Sequence, residues 1–488
     1  MHELWMGVLP VAGLSLASCI LILLAVFVRH ARAIGVTALL LTLFLGGGPV
    51  VWLWRLGGVE SKAALLSSGP YALFFDALFI LAALFSMALC MDYFRRKGRK
   101  RPEVYPLIGF STAGMMVLAS ATHLITFYLG LELMSICFYV LAGAMREHEN
   151  SVEASLKYFI LGAFSSAFLL LGAAFLYGST GDLSYSGLAG AFANGIYNFG
   201  TPVMLAGFFL FLAGLFFKLS LIPFHFWAPD VYQGAPTPVT ALMAVGGKTA
   251  ALAAAVRLGL EVFSRSAVLA HRWYVVFLVL GLITIFAGAM IAMTQRHMKR
   301  LLAYSSIVHA GFLALGLAGL GLGGDLARKL LGALLFYAAA YLFMNIGAFA
   351  VAGLVERPGN QDEPLSTFYG LGTRSPVLAA LFALFMFSLA GIPLTGGFLA
   401  KFYLFRGLVS GHLYWTAALG LAGAVIATYY YLKVIVGLYF SDPVDPPDQI
   451  ARGSWSTWTV LLLAGAVTLY LGLFPGLLSQ VASGLVLH

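Results

Sequence analysis

A chain of 488 residues that is 61% hydrophobic and only 10% charged is not an ordinary soluble protein, since those carry about 25% charged residues. Its mean hydropathy of +0.94 and its long apolar runs place it in a lipid bilayer. The formal net charge of +9 does not point to nucleic acid, because the basic residues are spread through short connections rather than along one polar face.

At about 20 apolar residues per span, the sequence predicts an all-α integral membrane protein with about fourteen transmembrane helices. Their approximate limits are 4–28, 33–54, 71–91, 104–120, 122–145, 154–178, 201–231, 238–262, 273–294, 301–321, 330–353, 377–406, 413–437 and 455–480. The first run is long enough to span and has no basic segment before it, so no cleaved leader is expected. Cys19, Cys90 and Cys137 fall in apolar stretches without metal-ligand spacing and are expected to be small core residues.

Two of these segments, 201–231 and 377–406, are much longer than a span requires. Each carries a proline near its middle, Pro223 and Pro393. A continuous helix of that size would be about 45 Å long against a hydrocarbon core of about 30 Å, so both are expected to be broken. The breaks fall five spans apart. This divides the chain into three N-terminal helices (1–103), a five-helix repeat (104–262), a second five-helix repeat (263–440) and a C-terminal helix (441–488). An odd number of spans inverts the second repeat relative to the first. Paired interruptions in inverted halves mark a transporter core whose site lies near the midplane.

Basic residues orient the chain. Loops after odd-numbered helices hold about fifteen Lys and Arg, against about seven after even-numbered ones. The odd loops are therefore expected on the cytoplasmic side, with both termini on the other. The run RRKGRKR, 95–101, is read chiefly as an anchor of this topology and secondarily as a contact for anionic lipid or a partner.

Four ionisable residues fall where a span is deepest: Glu132, Lys218, Lys248 and Lys401. A lysine at the bilayer centre costs about 2.5–3.5 kcal/mol on insertion scales, so it persists where it faces a bundle interior or a wet cavity. In such a site it holds its proton less firmly than in water and can load and release it near neutral pH. Glu132 supplies an opposing attraction to Lys218. His225, two residues past Pro223, and His309 are candidate relays between the lysines. Lys157 begins its helix and is as well explained by structure as by function, and Arg257 lies close enough to a helix end to snorkel.

Other chemistry is absent from the pattern. The stretch GLGLGGD at 319–325 ends a hydrophobic helix, follows no strand and lacks nucleotide-loop spacing. There is no P-loop, so ATP does not drive this chain directly, and no His pair suggests haem ligation. No cofactor or metal is expected within it.

The segment KLSLIPFHFWAPDVYQGAPTPVTALMAVGGKTAAL resembles the antiporter-like subunits of respiratory complex I, in particular the N type. GLELMS around Glu132, the run from Glu153 and AYSSIVHAGF around His309 are similar to the same subunit. PDVYQGAP is characteristic of that type, and a lysine at position 401 fits it better than the M type, where glutamate is usual. The L type carries a lateral helix after its last span, whereas this sequence ends soon after its own. The resemblance implies that Glu132, Lys218, Lys248 and Lys401 form a proton path in a subunit of a proton-translocating NADH:quinone oxidoreductase. It implies that NADH, FMN, iron–sulfur clusters and quinone belong to partner subunits. The expected partners are an M-type subunit, small neighbouring membrane subunits and the lipid of a bacterial plasma membrane. Two rival readings remain: a cation/proton antiporter or membrane-bound hydrogenase subunit, and a scaffold that moves no ions.

Overall fold

In lipid a backbone has no water for its N–H and C=O groups, and a helix satisfies them within the segment. Most of the described residues lie in such helices. The computed structural model describes residues 2–28, 31–59, 65–195, 200–357, 363–443 and 452–485, and among these there are no strands, only isolated bridges such as His123 with Ser184.

The spanning helices, in order, begin with α1 (His2–Phe27), α2 (Arg32–Arg55) and α3 (Pro70–Arg96). Then come α4 (Val104–Ser120), α5 (Leu124–Ala142) and α6 (Glu149–Thr180). Helix α7 is in two pieces, α7a (Gly200–Leu219) and α7b (Trp227–Gly234), followed by α8 (Thr237–Arg265). The second half holds α9 (Ala267–Met293), α10 (Met298–Leu320) and α11 (Gly324–Val355). It continues with α12a (Pro376–Ala390), α12b (Gly396–Ser410), α13 (Tyr414–Phe440) and α14 (Trp455–Leu473). The sequence does not foresee the short helices Tyr185–Asn194 and Gly476–Gly484, which are too brief to span.

Both long segments are interrupted. At the first, Ser220 takes a φ of +59° and the Ile222–Pro223 peptide is cis. The freed groups are satisfied by packing neighbours: Trp227 Nε1 donates to the Phe217 carbonyl at 2.9 Å, and the Ile222 N–H donates to Thr284 Oγ1 of α9 at 2.9 Å. At the second, Gly391 has a φ of +89° and Leu394 of +73°, and the Gly397 N–H donates to Ser388 Oγ at 3.1 Å. Pro223, Phe226 and the run Ile392–Leu394 are exposed on the chain, so it is these hydrogen bonds to neighbouring groups that satisfy the freed backbone at membrane depth.

Helices α8, α10 and α11 form the centre, with scarcely any exposed side chain, while α1, α2, α6, α9 and α13 turn large apolar residues outward. Hydrophobicity does not separate helix from lipid, so close contact depends on small residues. Gly114 of α4 and Gly130 of α5 meet backbone to backbone; a Cβ on Gly114 would lie 2.8 Å from the Gly130 carbonyl oxygen. Gly281 of α9 and Gly311 of α10 repeat this, with a Cβ on Gly311 2.9 Å from the Gly281 oxygen. These are the first two helices of each expected repeat.

Loops after odd-numbered helices gather at one end. Arg96 Nη2 donates to the Gly353 carbonyl at 2.9 Å, Arg101 pairs with Glu147 at 2.6 Å, and Lys299 approaches Glu356 at 3.8 Å. Cys90 and Cys137 are buried, but Cys19 is exposed on the outer face of α1. Arg257 does not snorkel: it is buried, pairs with Glu261 at 3.0 Å, and its helix runs on to Arg265.

Candidate functional site

None of the three deep lysines faces lipid: Lys218, Lys248 and Lys401 are 4%, 2% and 6% exposed. Each is placed by an irregularity of its helix. Lys218 stands in the last turn of α7a beside the first break. Lys248 follows directly on a π-helical turn, Met243–Gly247, the kind of local widening that re-aims side chains at functional positions. Lys401 lies one turn into α12b, after the second break.

Lys218 Nζ donates to Ser135 Oγ of α5 at 2.7 Å and to the Tyr139 hydroxyl at 3.5 Å. The rings of Tyr139 and Tyr158 wall it at 5.6 and 5.8 Å, within cation–π range. Glu132 is three residues before Ser135 and so shares its helix face. It is half-buried, and it accepts a hydrogen bond from Ser166 Oγ of α6. No direct ion pair joins Glu132 to Lys218.

Lys248 donates to Ser306 Oγ of α10 and faces the Tyr232 ring at 5.6 Å. The Tyr341 hydroxyl donates to the same Ser306 oxygen at 2.8 Å. Three residues on from Ser306, His309 engages the Tyr337 hydroxyl through Nδ1 at 2.6 Å and the Tyr431 hydroxyl through Nε2 at 3.2 Å. Tyr431 is bonded in turn to Ser305. Two buried clusters thus lie side by side, Lys248 with Ser306 and Tyr341, and His309 with Tyr337, Tyr431 and Ser305, the rings of His309 and Tyr341 being 5.3 Å apart.

Lys401 is held differently. Its Nζ donates to the Leu389 and Ala390 carbonyls, both at 2.9 Å, which are the orphan acceptors at the end of α12a. An ammonium there also meets the negative end of that half-helix. Serine and tyrosine hydroxyls both donate and accept, so Ser135 and Ser306 suit an ammonium or a neutral amine, whereas a carbonyl only accepts.

The remaining candidates are more scattered. His225 lies in the first break and is 6% exposed, its Nδ1 without a hydrogen-bond partner, and it stacks near Phe226 and Tyr304 rather than on a lysine. Lys157 is outside the buried group, its side chain 43% exposed, bound to Glu153 at 2.6 Å and Asp230 at 3.0 Å. Asp230 also pairs with Arg300 at 2.7 Å, so this cluster clamps α6, α7b and α10 together. From Lys218 to Lys248 the contacts are aromatic: Tyr158 stacks on Trp227 at 4.4 Å, and Trp227 meets Tyr232 at 5.9 Å.

Sequence reading missed every hydroxyl partner. Serine and tyrosine are common in spanning helices, and the only available signal was spacing, with Ser135 three after Glu132 and Ser306 three before His309. It also missed Glu356, buried where Lys97 approaches at 3.7 Å and Lys299 at 3.8 Å and where Thr237 donates to it. Among the described residues no group of His, Cys, Asp and Glu is placed to hold a metal ion.

Helices broken at membrane depth, with buried lysines at both breaks and on a central helix, are the features of an ion-translocating protein built like a secondary transporter. A family described as NADH:quinone oxidoreductase/Mrp antiporter, transmembrane, matches residues 121–427. NADH-quinone oxidoreductase subunit N of Trichlorobacter lovleyi is 42% identical, over 84% of this chain and 82% of its own. A chain of respiratory complex I from Thermus thermophilus superposes with a TM-score of 0.80 at 32% identity, covering 97% of this chain and 99% of that one. A chain of the Mrp complex from a Dietzia species shares the fold, with a TM-score of 0.82 at 22% identity, over 98% and 96% of the two chains. The chain belongs to the subunit N branch of the NADH:quinone oxidoreductase/Mrp antiporter transmembrane family.

Proposed function

We propose that the chain moves protons across a bacterial plasma membrane as an antiporter-like subunit of an NADH:quinone oxidoreductase, with no redox centre of its own. The observation that carries this is the set of three buried lysines at the two helix breaks and on α8, two of them bonded to hydroxyls that serve either protonation state. Glu132 tunes Lys218, Lys248 and His309 act from two adjoining hydroxyl clusters at the centre, and Lys401 is the exit-side group. His225 and the buried Tyr232 hydroxyl, which have polar atoms without a protein partner, would relay protons through water between the first two lysines. Lys157 serves as a clamp in this scheme. The first and second repeats, 104–262 and 263–440, supply the two broken helices, and the gathered basic loops lie on the cytoplasmic side with both termini opposite. NADH, FMN, iron–sulfur clusters and quinone are handled by partner subunits, which include an M-type subunit and small membrane subunits.

The test is isolation through a tag on this chain, followed by reconstitution in vesicles. Hydrophilic subunits that oxidise NADH should come with it, and NADH with quinone should drive proton movement across the vesicle membrane. Isolation without such subunits, together with a proton gradient driven by sodium alone, would replace this reading with a cation/proton antiporter.

The second break yields a sharper expectation. A Cβ on Gly391 would lie 3.0 Å from Lys401 Cδ, at a φ of +89° that a branched side chain adopts only under strain. Gly391→Val should therefore displace Lys401 from its two carbonyls. Proton uptake per NADH oxidised should fall several-fold while the amount of assembled complex stays close to wild type. Unchanged uptake would mean that the position of Lys401 does not matter.

A further inference from the structure

The first three helices carry none of the proton-handling groups, yet the ends of α2 and α3 help to enclose a cavity of about 610 Å³. Its lining has two characters. Arg32 at the start of α2, Arg95 at the end of α3, and Arg99, Lys100 and Arg101 between α3 and α4 are basic. Met91, Phe94 and Tyr105, with Trp455 at the start of α14, are apolar or aromatic. Trp455 is largely exposed, as expected of an aromatic residue at a membrane–water interface.

The basic residues are not equivalent. Arg95 pairs with Asp92 at 2.7 Å, Arg99 and Arg101 share Glu147 at 3.5 and 2.6 Å, and Arg101 also approaches Glu103 at 3.9 Å. Arg101 is mostly covered, and its Nε is buried without a hydrogen-bond partner. Arg32 and Lys100 are exposed and make no ion pair with any described residue. The cavity therefore offers cationic groups in excess of their local carboxylates together with an apolar lining, at the end of the spans. A free phosphate would use the first feature and leave the second unexplained. A zwitterionic lipid would bring a cation to a site already rich in them.

We infer that this cavity binds an anionic phospholipid. The phosphate rests between Arg32, Lys100 and Arg101, and an acyl chain runs along Met91, Phe94 and Trp455. The lipid would bridge α2, α3 and α14, fastening the N-terminal helices to the last span at the end where the basic loops gather. Anionic lipid is concentrated in the cytoplasmic leaflet, which is the leaflet this end is expected to face.

The experiment uses the assembled complex in phosphatidylcholine vesicles containing a small proportion of phosphatidylglycerol with a photoreactive acyl chain. After illumination, labelled peptides are located by mass spectrometry. Labelling is expected on the segments holding Met91, Phe94 and Trp455. The double variant Arg32→Gln, Lys100→Gln should weaken it about thirtyfold, the effect expected from losing two cations near a lipid surface. Arg328→Gln with Lys329→Gln, a pair of exposed cations at the start of α11, should leave it unchanged. Equal labelling by photoreactive phosphatidylcholine, an equal loss in the α11 variant, or displacement of the label by inorganic phosphate would each overturn the proposal. So would no labelling at these segments, which is the outcome expected if a protein partner fills the cavity. The readout is labelling rather than proton transport, so it stands or falls apart from the proposed function.

Discussion

Replacing Lys218 with alanine should reduce NADH-driven proton uptake by about tenfold or more, which corresponds to raising the limiting barrier by about 1.4 kcal/mol. Lys218 stands beside the first break, is buried, and is bonded to a hydroxyl that lies one turn from Glu132 on the same helix. Alanine leaves Ser135 and Tyr139 in place but removes the proton they would exchange. Assembly should survive, because the substitution also removes a charge whose burial opposes folding. Lys218→Arg separates charge from proton transfer. Guanidinium stays charged and does not deprotonate in proteins, so arginine preserves the local field and should still fail to pump. The measurement is proton uptake per NADH oxidised, normalised to assembled complex. Full uptake in the arginine variant would show that the residue acts only as a fixed charge.

The second large effect is expected at Glu132. A carboxylate and an ammonium that share a poorly solvated site attract one another through space even without contact, which biases proton occupancy. No direct ion pair joins Glu132 to Lys218, so the interaction acts through space and falls off gradually with distance. Aspartate keeps the charge on a side chain one methylene shorter and should retain part of the coupling. Glutamine keeps the length and an acceptor for Ser166 but loses the charge. Proton uptake should therefore rank wild type, Glu132→Asp, Glu132→Gln, at unchanged assembly. Equal values for the two variants would remove charge at this position from the mechanism.

These two experiments rest on different kinds of knowledge. That Lys218, Lys248 and Lys401 are buried was legible in the sequence, because a charge in a long apolar run is too costly to leave in lipid. The two interruptions were equally legible: a proline in a segment longer than the bilayer is thick permits few alternatives. The resemblance in KLSLIPFHFWAPDVYQ and GLELMS added the family, which the comparisons then bore out. Each of these inferences depends on a local property, such as length, periodicity or the cost of one charge.

The partners of those charges could not be read in the same way. Lys218 meets Ser135 from 83 positions away, and Lys248 meets Ser306 from 58 positions away. A serine in a spanning helix costs little wherever it points, so nothing in the local sequence marks these two among many. Basic residues near helix ends were ambiguous for a related reason. Lys299 and Arg257 look like solvated or snorkelling cations, yet the fold buries one against the Ala235 carbonyl and Glu356 and the other beside Glu261. The sequence determined which groups must leave the lipid, because desolvation acts on each residue separately. Only the tertiary structure decided what they meet there, because a hydrogen bond depends on two helices and their relative rotation.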